Sequence, residues 1–215
     1  MKRWFSEISL KIKETSPEPP SQPSKEYISL ALNSLYHCLS PGQKYNVLDL
    51  GPAMGANVDF FSQFPAKMYI EDFYHTLTSF DFLSPEDGVS YQTVFEYLLP
   101  YSPDTSFDVI MSWDIFNYLE RKECKSLIGH ISQFCHPSTL VFALISTAKY
   151  IPEKPNTFRI LDQEHIMYQF NSNVLRPCPQ YQSTDLTELM PNFRVCNSFL
   201  LRNGFKEYLF ANSTP

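Results

Sequence analysis

Two glycines and a later pair of acids have the types and spacing that suit a cofactor site. Gly51 and Gly55 follow directly on the apolar run Tyr45–Leu50. Because glycine has no side chain, a turn built on it lets a ligand approach free backbone N–H groups. A second short apolar run leads into Glu71 and Asp72, where a carboxylate accepts hydrogen bonds from ribose hydroxyls. The spacing predicts a site for a nucleotide-type cofactor.

The elements around this turn are those of a parallel α/β unit. The run Tyr45–Leu50 predicts a buried strand, and the apolar periodicity of Ala56–Phe64 predicts a helix directly after the turn. Residues 68–70 predict the second strand. The segment Ser106–Leu119 has a polar opening, a continuous apolar run and a polar break, which is typical of a fully buried parallel strand.

The other elements complete an α/β architecture. Apolar spacing predicts helices over Tyr27–Leu39, Glu123–Cys135 and Gln182–Met190, a strand over Leu140–Ile145, and a C-terminal hairpin of Phe193–Arg202 and Phe205–Ala211. Asn203-Gly204 between the hairpin strands favours a turn with positive φ. Between residues 75 and 101, Ser84-Pro85 has the pattern of a helix start, whereas Val89–Leu99 fits either a helix or a third strand.

Composition limits the class of protein. The chain of 215 residues is 43% hydrophobic, enough for one core and one domain. Its formal net charge of −6 argues against a nucleic-acid binder. No apolar run is long enough to span a bilayer. The five cysteines lack C-x-x-C spacing, and Cys135-His136 has no partner cluster, so we expect reduced thiols, no metal site and a cytoplasmic location.

The glycine turn resembles motif I of the class I S-adenosylmethionine-dependent methyltransferases, an acid, one residue, then G-x-G-x-G. Asp49 is the acid, Ala53 replaces the middle glycine, and Pro52 stiffens the turn. The spacing Gly51-x-x-x-Gly55 disfavours the G-x-G-x-x-G of a dehydrogenase. The resemblance implies a Rossmann-like, doubly wound, mostly parallel sheet with a C-terminal antiparallel hairpin, and S-adenosylmethionine as cofactor. Of the two acids, Glu71 is preferred for the ribose over Asp72, because it directly follows the last apolar residue.

The segment around Ser112 and Trp113 looks like the family's motif IV in its small-molecule form, so the resemblance places both residues at the cofactor, with Trp113 as a wall of its pocket. The competing interpretation of Trp113 is a plain core residue. In this family an acid at the end of a third strand usually binds the adenine amino group. Asp81 and Glu96 are the candidates, although neither has the usual offset. The resemblance extends from about Tyr27 to Ala211.

No residue is identified as a catalytic base, since the chain has no Ser-His-Asp order and no paired carboxylates at helical spacing. Asp114 and Tyr118 follow motif IV and are candidates for contacting the acceptor; Asp114 is as well suited to capping the next turn. The polar run Asp162–His165 is a further candidate, with a surface histidine the competing interpretation.

The expected domain covers residues 25–215, preceded by an arm with Trp4 and Phe5 and a proline-rich linker over residues 1–24. The carboxyl ends of the parallel strands should form a pocket above Leu50, Glu71, Ser112 and Ser146, with the long insert Lys149–Pro179 as its acceptor wall. We predict a methyltransferase acting on a small molecule, with no nucleic-acid partner. The alternative is a binding or scaffold protein that keeps the fold without turnover.

Overall fold

The computed structural model describes residues 24–79 and 90–213. Its strands are β1 (Ser24–Ile28), β2 (Tyr45–Asp49), β3 (Ala66–Ile70), β4 (Phe107–Trp113), β5 (Cys135–Ser146), β6 (Tyr150–Pro152), β7 (Thr157–Ile160), β8 (His165–Gln169), β9 (Leu175–Pro177), β10 (Phe193–Leu200) and β11 (Phe205–Asn212). Its α-helices are α1 (Leu30–Cys38), α2 (Gly55–Phe61), α3 (Phe73–Ser79), α4 (Tyr91–Leu98), α5 (Arg121–Ile131) and α6 (Ser183–Leu189).

The central sheet has six strands in the order β10-β11-β5-β4-β2-β3. The pairs β2–β3, β2–β4 and β4–β5 are parallel, whereas β11 is antiparallel to both β5 and β10. The predicted α/β fold with a C-terminal antiparallel hairpin is therefore confirmed. Gly204 in the hairpin turn has φ +89°, the positive value that the Asn-Gly pair predicts.

Both faces of the sheet are covered, because neighbouring residues of its buried strands belong to opposite cores. Leu48 and Ile110 pack in the core beneath α3, α4, α5 and α6. Val47 and Val109 pack in the other core, beneath α1, α2, β7 and β8. Helices on one face and helices plus a small sheet on the other explain the continuous apolar runs of β2 and β4, since a strand covered on both faces needs apolar side chains throughout.

The chain enters the fold as a strand, and this corrects the helix predicted from Tyr27. Residues Ser24–Ile28 form β1, which pairs antiparallel with β8. The helix α1 begins only at Leu30, because the Ser29 hydroxyl oxygen accepts a hydrogen bond from the N–H of Leu32 and caps the first turn. Apart from Ser24, the predicted arm and linker lie outside the described residues.

The sequence allows either a helix or a strand over Val89–Leu99, and the structure has the helix α4 there. Ser90 caps α4, accepting a hydrogen bond from the N–H of Thr93 at 3.2 Å. Among the described residues β3 is therefore the edge of the central sheet, and none forms the third strand beyond it. The predicted helix start at Ser84-Pro85 and the candidate Asp81 lie outside the described residues.

The insert between β5 and α6 is regular, although its sequence shows no clear period. It forms β6 to β9: β7 and β8 complete a three-stranded sheet with β1, and β6 pairs with β9. The side chains of β8 alternate, with Ile166 and Tyr168 buried. The alternation is short, and the buried face exists only because the insert folds back against β1 and the central sheet.

Candidate functional site

A cavity of about 370 Å³ lies beyond the carboxyl ends of β2, β3 and β4. This is the edge of an open α/β sheet where ligands bind. Residues from the glycine turn, α3, the end of β4 and the insert line it: Leu50, Gly51, Pro52, Asn57, Asp72, Tyr74, His75, Thr78, Trp113, Asp114, Ile115, Lys154, Pro155, Asn156, Thr157, Phe158 and Asn171. The insert thus forms one wall, as its length and position predicted.

The indole of Trp113 lies directly against the glycine turn. Its Nε1–H donates a hydrogen bond of 2.6 Å to Oδ1 of the fully buried Asp49, which also accepts from the N–H of Gly51 at 2.9 Å. A Cβ atom at Gly51 would lie only 2.9 Å from Cδ1 of Trp113. The missing side chain at Gly51 therefore makes room for this indole in the structure.

Trp113 reaches the turn from an unusual backbone conformation. Its φ is +49°, a value that bulky side chains rarely adopt. Met111 and Trp113 flank an irregularity in the pairing of β4 with β5, which turns the last residue of the strand toward Asp49. The ring of Phe158 stacks on the indole with an interplanar angle of 3° and a centroid distance of 5.3 Å. These contacts hold the indole in place, since each one fixes a different edge or face of it.

Asn57 fastens the insert to the helix that follows the glycine turn. Its side-chain amide donates to the carbonyl of Phe158 at 3.3 Å and accepts from the N–H of Ile160 at 2.9 Å. Asn57 is 1% exposed, so these bonds replace water for a buried amide. Asn57 thereby connects the insert to α2. The sequence places it on a predicted helix, and no motif identifies it as a site residue.

Four of the ten residues predicted to bind the cofactor line the cavity: Gly51, Pro52, Asp72 and Trp113. Asp49 lies next to them, where its carboxylate is used by Gly51 and Trp113. Burial raises the pKa of Asp49, although its hydrogen bonds partly offset this. The glycine turn, the second acid and motif IV therefore meet at one place.

The structure places Asp72 and not Glu71 at the cavity. Glu71, preferred from the sequence, instead accepts a hydrogen bond from the hydroxyl of Tyr101 at 2.8 Å and faces the aromatic cluster beside β3. Asp72 is exposed to the cavity and follows one residue later. Because successive side chains of an extended segment point to opposite sides, a shift of one residue decides which acid faces a ligand.

The remaining predicted cofactor residues lie away from the cavity lining. Glu96 is on the exposed face of α4 and accepts a hydrogen bond from Gln92. The buried hydroxyl of Ser112 donates to the carbonyl of Phe142 at 2.7 Å, which joins β4 to β5. Ala53 and Gly55 are exposed on the far part of the turn, and no heavy atom lies within 4 Å of a Cβ built at Gly55.

Asp114, the acid after β4, occupies the inner end of the cavity. It is 1% exposed, and its Oδ2 accepts hydrogen bonds from the backbone N–H and the side-chain amide of Asn156 at 3.2 and 2.8 Å. Burial raises its pKa to about 7, because desolvation disfavours the carboxylate more than the two hydrogen bonds stabilise it. The competing interpretation of Asp114 as a helix cap is not confirmed, because its side chain makes no capping bond to the following turn.

The other acceptor candidates have structural partners. The hydroxyl of Tyr118 donates to the carbonyl of Lys154 at 3.0 Å, and so fixes the insert over the sheet. Asp162 accepts hydrogen bonds from the backbone and ring of His165 in the turn between β7 and β8. The hydrogen bond to Asp162 raises the pKa of His165, which lies outside the cavity lining.

Over residues 24–79 and 90–213, no group of three or more His, Cys, Asp and Glu side chains is arranged to hold a metal ion. Within the same ranges, no helix is long and apolar enough to cross a membrane. Asn57, Asn156 and Phe158 are among the site residues that sequence reasoning missed. The only available signal for Asn156 and Phe158 was their position in a long insert between core elements.

Similarity to solved structures resolves the fold family. The sequence matches no protein-family model and no curated protein. An S-adenosylmethionine-dependent methyltransferase from Clostridium acetobutylicum aligns over 86% of this chain and 91% of its own, with 10% identity and a TM-score of 0.51. The PH0226 protein of Pyrococcus horikoshii aligns over 85% and 88%, with 12% identity and the same TM-score. The chain has the fold of the class I S-adenosylmethionine-dependent methyltransferases.

The six-stranded sheet and the terminal hairpin agree with the fold that the resemblance at motif I implied. The likeness covers the fold. The chemistry has to be argued from the side chains of this chain.

Proposed function

We propose that this protein binds S-adenosylmethionine in the cavity above Gly51 and transfers its methyl group to a small-molecule acceptor. The cavity itself carries the proposal: it lies at the carboxyl ends of β2, β3 and β4 and joins the glycine turn to an acid after the second strand. Its volume of about 370 Å³ is within the range of small-molecule sites. The fold shared with S-adenosylmethionine-dependent methyltransferases supports the same assignment.

The residues present suit the nucleoside part of this cofactor. The backbone of Gly51 and Pro52 forms one side, and the carboxylate of Asp72 can accept hydrogen bonds from the ribose hydroxyls. When bound, S-adenosylmethionine supplies a methyl group on a positively charged sulfur with a good leaving group. The protein then has to orient the acceptor and to exclude water. The buried residues Asn156 and Phe158 of the insert serve to exclude water.

A matched pair of substitutions tests the placement of the cofactor. Calorimetry with S-adenosylhomocysteine should show binding to the wild type. Asp72→Asn should weaken it by about 2–3 kcal/mol, the value of charge-assisted hydrogen bonds. Glu71→Gln is the control, because this side chain points to Tyr101. A larger loss in Glu71→Gln than in Asp72→Asn would contradict the assignment of Asp72. NAD serves as the competing cofactor, and binding of NAD alone would contradict the proposal.

The position of Trp113 favours a second candidate, a protein that keeps the methyltransferase fold without turnover. The indole lies on Gly51 and bonds to Asp49, so it fills the side of the cavity where a cofactor would meet the glycine turn. In this alternative Trp113 replaces part of the cofactor.

Trp113→Ala separates the two candidates. If the folded wild type fails to bind S-adenosylhomocysteine and Trp113→Ala binds it, the second candidate is correct. Measurable binding by the wild type contradicts the replacement of the cofactor by Trp113, because the cofactor then shares the cavity with the indole or displaces it. Turnover is then tested separately, as methyl transfer to an acceptor.

A further inference from the structure

A second cavity, of about 130 Å³, lies at the carboxyl ends of β4 and β5. Asp114 and Asn156 line both cavities, so the two spaces meet at this pair of side chains. Ser146 at the end of β5 and Gly204 in the hairpin turn lie on its other sides. The second cavity therefore adjoins the inner end of the proposed cofactor cavity.

Three residues that line this second cavity, from three separate segments, each carry a buried polar atom without a hydrogen-bond partner among the described residues. They are Oδ1 of Asp114, Oδ1 of Asn156 and Nδ2 of Asn203. Asp114 and Asn156 are only 1% and 4% exposed. Leaving a buried polar atom unpaired is costly, and the cost is highest for a charged group. Two acceptors and one donor on residues around one cavity would be satisfied by an occupant with the complementary groups.

Much of the remaining wall is aromatic, and Lys25 is also part of it. Five rings line the cavity: Tyr118, Tyr150, Tyr168, Phe170 and Phe205. Aromatic faces attract cations. One cation already uses this surface, since Nζ of the exposed Lys25 lies 5.4 Å from the centroid of the Phe170 ring. A carboxylate with a free oxygen beside aromatic faces is suited to a positively charged ligand.

The volume limits the size of that ligand. At about 130 Å³ the second cavity is roughly a third of the size of the proposed cofactor cavity, which suits a ligand of a few non-hydrogen atoms. The free oxygens of Asp114 and Asn156 require N–H donors, and Nδ2 of Asn203 requires an acceptor. A two-carbon chain with an ammonium group at one end and a hydroxyl at the other meets each of these demands.

We propose that this second cavity binds a small aliphatic amine as its ammonium ion, with N–H groups on Asp114 and Asn156 and a polar group toward Asn203. Such an amine is then the acceptor class of the protein, an assignment that rests on the proposed function, whereas the binding site itself does not. The ammonium ion must first lose a proton, which the carboxylate of Asp114 is placed to accept. The nitrogen lone pair then forms the new N–C bond while the methyl–sulfur bond breaks and its electron pair stays on the sulfur. Asp114 and Asn156 line both cavities, so a nitrogen held on these two side chains lies where the second cavity meets the region assigned to the methyl donor.

Ethanolamine is the probe, and ethylene glycol is its neutral counterpart of the same size. Calorimetry or ligand-observed NMR on the full chain should show ethanolamine binding roughly 10- to 100-fold tighter than ethylene glycol, the range expected for hydrogen bonds to a buried charge. Asp114→Asn should reduce ethanolamine binding to the level of ethylene glycol. Asp162→Asn is the matched control. It removes an exposed carboxylate that lies outside the second cavity, in the insert that also carries Asn156, and it should leave binding unchanged.

Asn203→Ala gives a second readout if Asp114→Asn fails to fold. It should weaken ethanolamine several-fold and leave propylamine, which lacks the hydroxyl, unaffected. No ethanolamine binding by the folded wild type, or equal binding of ethylene glycol, would overturn the proposal and leave the cavity to ordered water. Binding of S-adenosylhomocysteine without ethanolamine overturns this inference alone. Binding of ethanolamine without S-adenosylhomocysteine supports the amine site and removes its role in methyl transfer.

Discussion

Substitution of Gly51 by alanine tests the contact that most distinguishes this site. The new Cβ would lie 2.9 Å from Cδ1 and 3.0 Å from Nε1 of Trp113, and 3.2 Å from Oδ1 of Asp49. Separations below 3.0 Å are not tolerated, so the indole has to move. It cannot move freely, because it is 2% exposed, bonded to Asp49 and stacked on Phe158.

The size of the effect follows from the contacts that would change. Overpacking a well-filled core costs about 1–3 kcal/mol. Losing the hydrogen bond from the indole to the buried carboxylate of Asp49 adds about 1.5–3 kcal/mol if the bond breaks completely. Because a partial shift relieves the clash while stretching the bond, we expect Gly51→Ala to lower the free energy of unfolding by about 2–4 kcal/mol.

Urea denaturation followed by circular dichroism measures this loss. Gly55→Ala is the matched control in the same turn, since a Cβ at Gly55 would meet no heavy atom within 4 Å, and it should change stability by less than about 1 kcal/mol. A double-mutant cycle isolates the contact: in a Trp113→Ala background Gly51→Ala should cost little. Equal costs in the two backgrounds would refute the reasoning, because the indole would then not be the obstacle.

Three further outcomes are expected. Burial raises the pKa of Asp114 from 3.8 to about 7, so the wild type loses stability as the pH rises between these two values. The stability of Asp114→Asn relative to the wild type should therefore increase by up to about 4 kcal/mol from pH 4 to pH 8. A difference in urea denaturation that stays constant with pH would contradict this. Glu207→Ala removes the buried acceptor of the Ala31 N–H at 3.1 Å and should lower the free energy of unfolding by about 1–3 kcal/mol in thermal melts, whereas Glu207→Gln, which keeps an acceptor, should cost less. Cys124 is fully buried with its pKa raised to about 12, so iodoacetamide should label the exposed Cys38 first in the native protein, and equal labelling by mass spectrometry would disprove the assigned burial.

Local patterns predicted the framework of the fold. The strands β2 and β4 are buried on both faces, and such strands appear in the sequence as continuous apolar runs. A run of this kind can be recognised without knowing which strands pair with it. The terminal hairpin was equally accessible, because Asn203-Gly204 favours positive φ and Gly204 adopts it. The glycine turn was located because a strand, two glycines and a helix are adjacent in the chain.

One-residue choices and short elements were beyond local patterns. The neighbouring acids Glu71 and Asp72 at the end of β3 face opposite sides. The hydroxyl of Tyr101 donates a hydrogen bond to Glu71, and Asp72 lines the cavity. The last two residues of β1, Tyr27 and Ile28, were predicted as the start of a helix, because β1 is stabilised by pairing with β8 and not by its own five residues.

The composition of the site was decided by tertiary structure. The hydrogen bond from Trp113 to Asp49 joins residues 64 positions apart, and that from Asn156 to Asp114 spans 42. The sequence by itself determined that an acid, a glycine turn and a motif IV strand would meet at one sheet edge, because parallel strands end together. Whether an indole, an insert or open space lies over that edge depends on packing between distant segments, and only the folded chain brings those segments into contact.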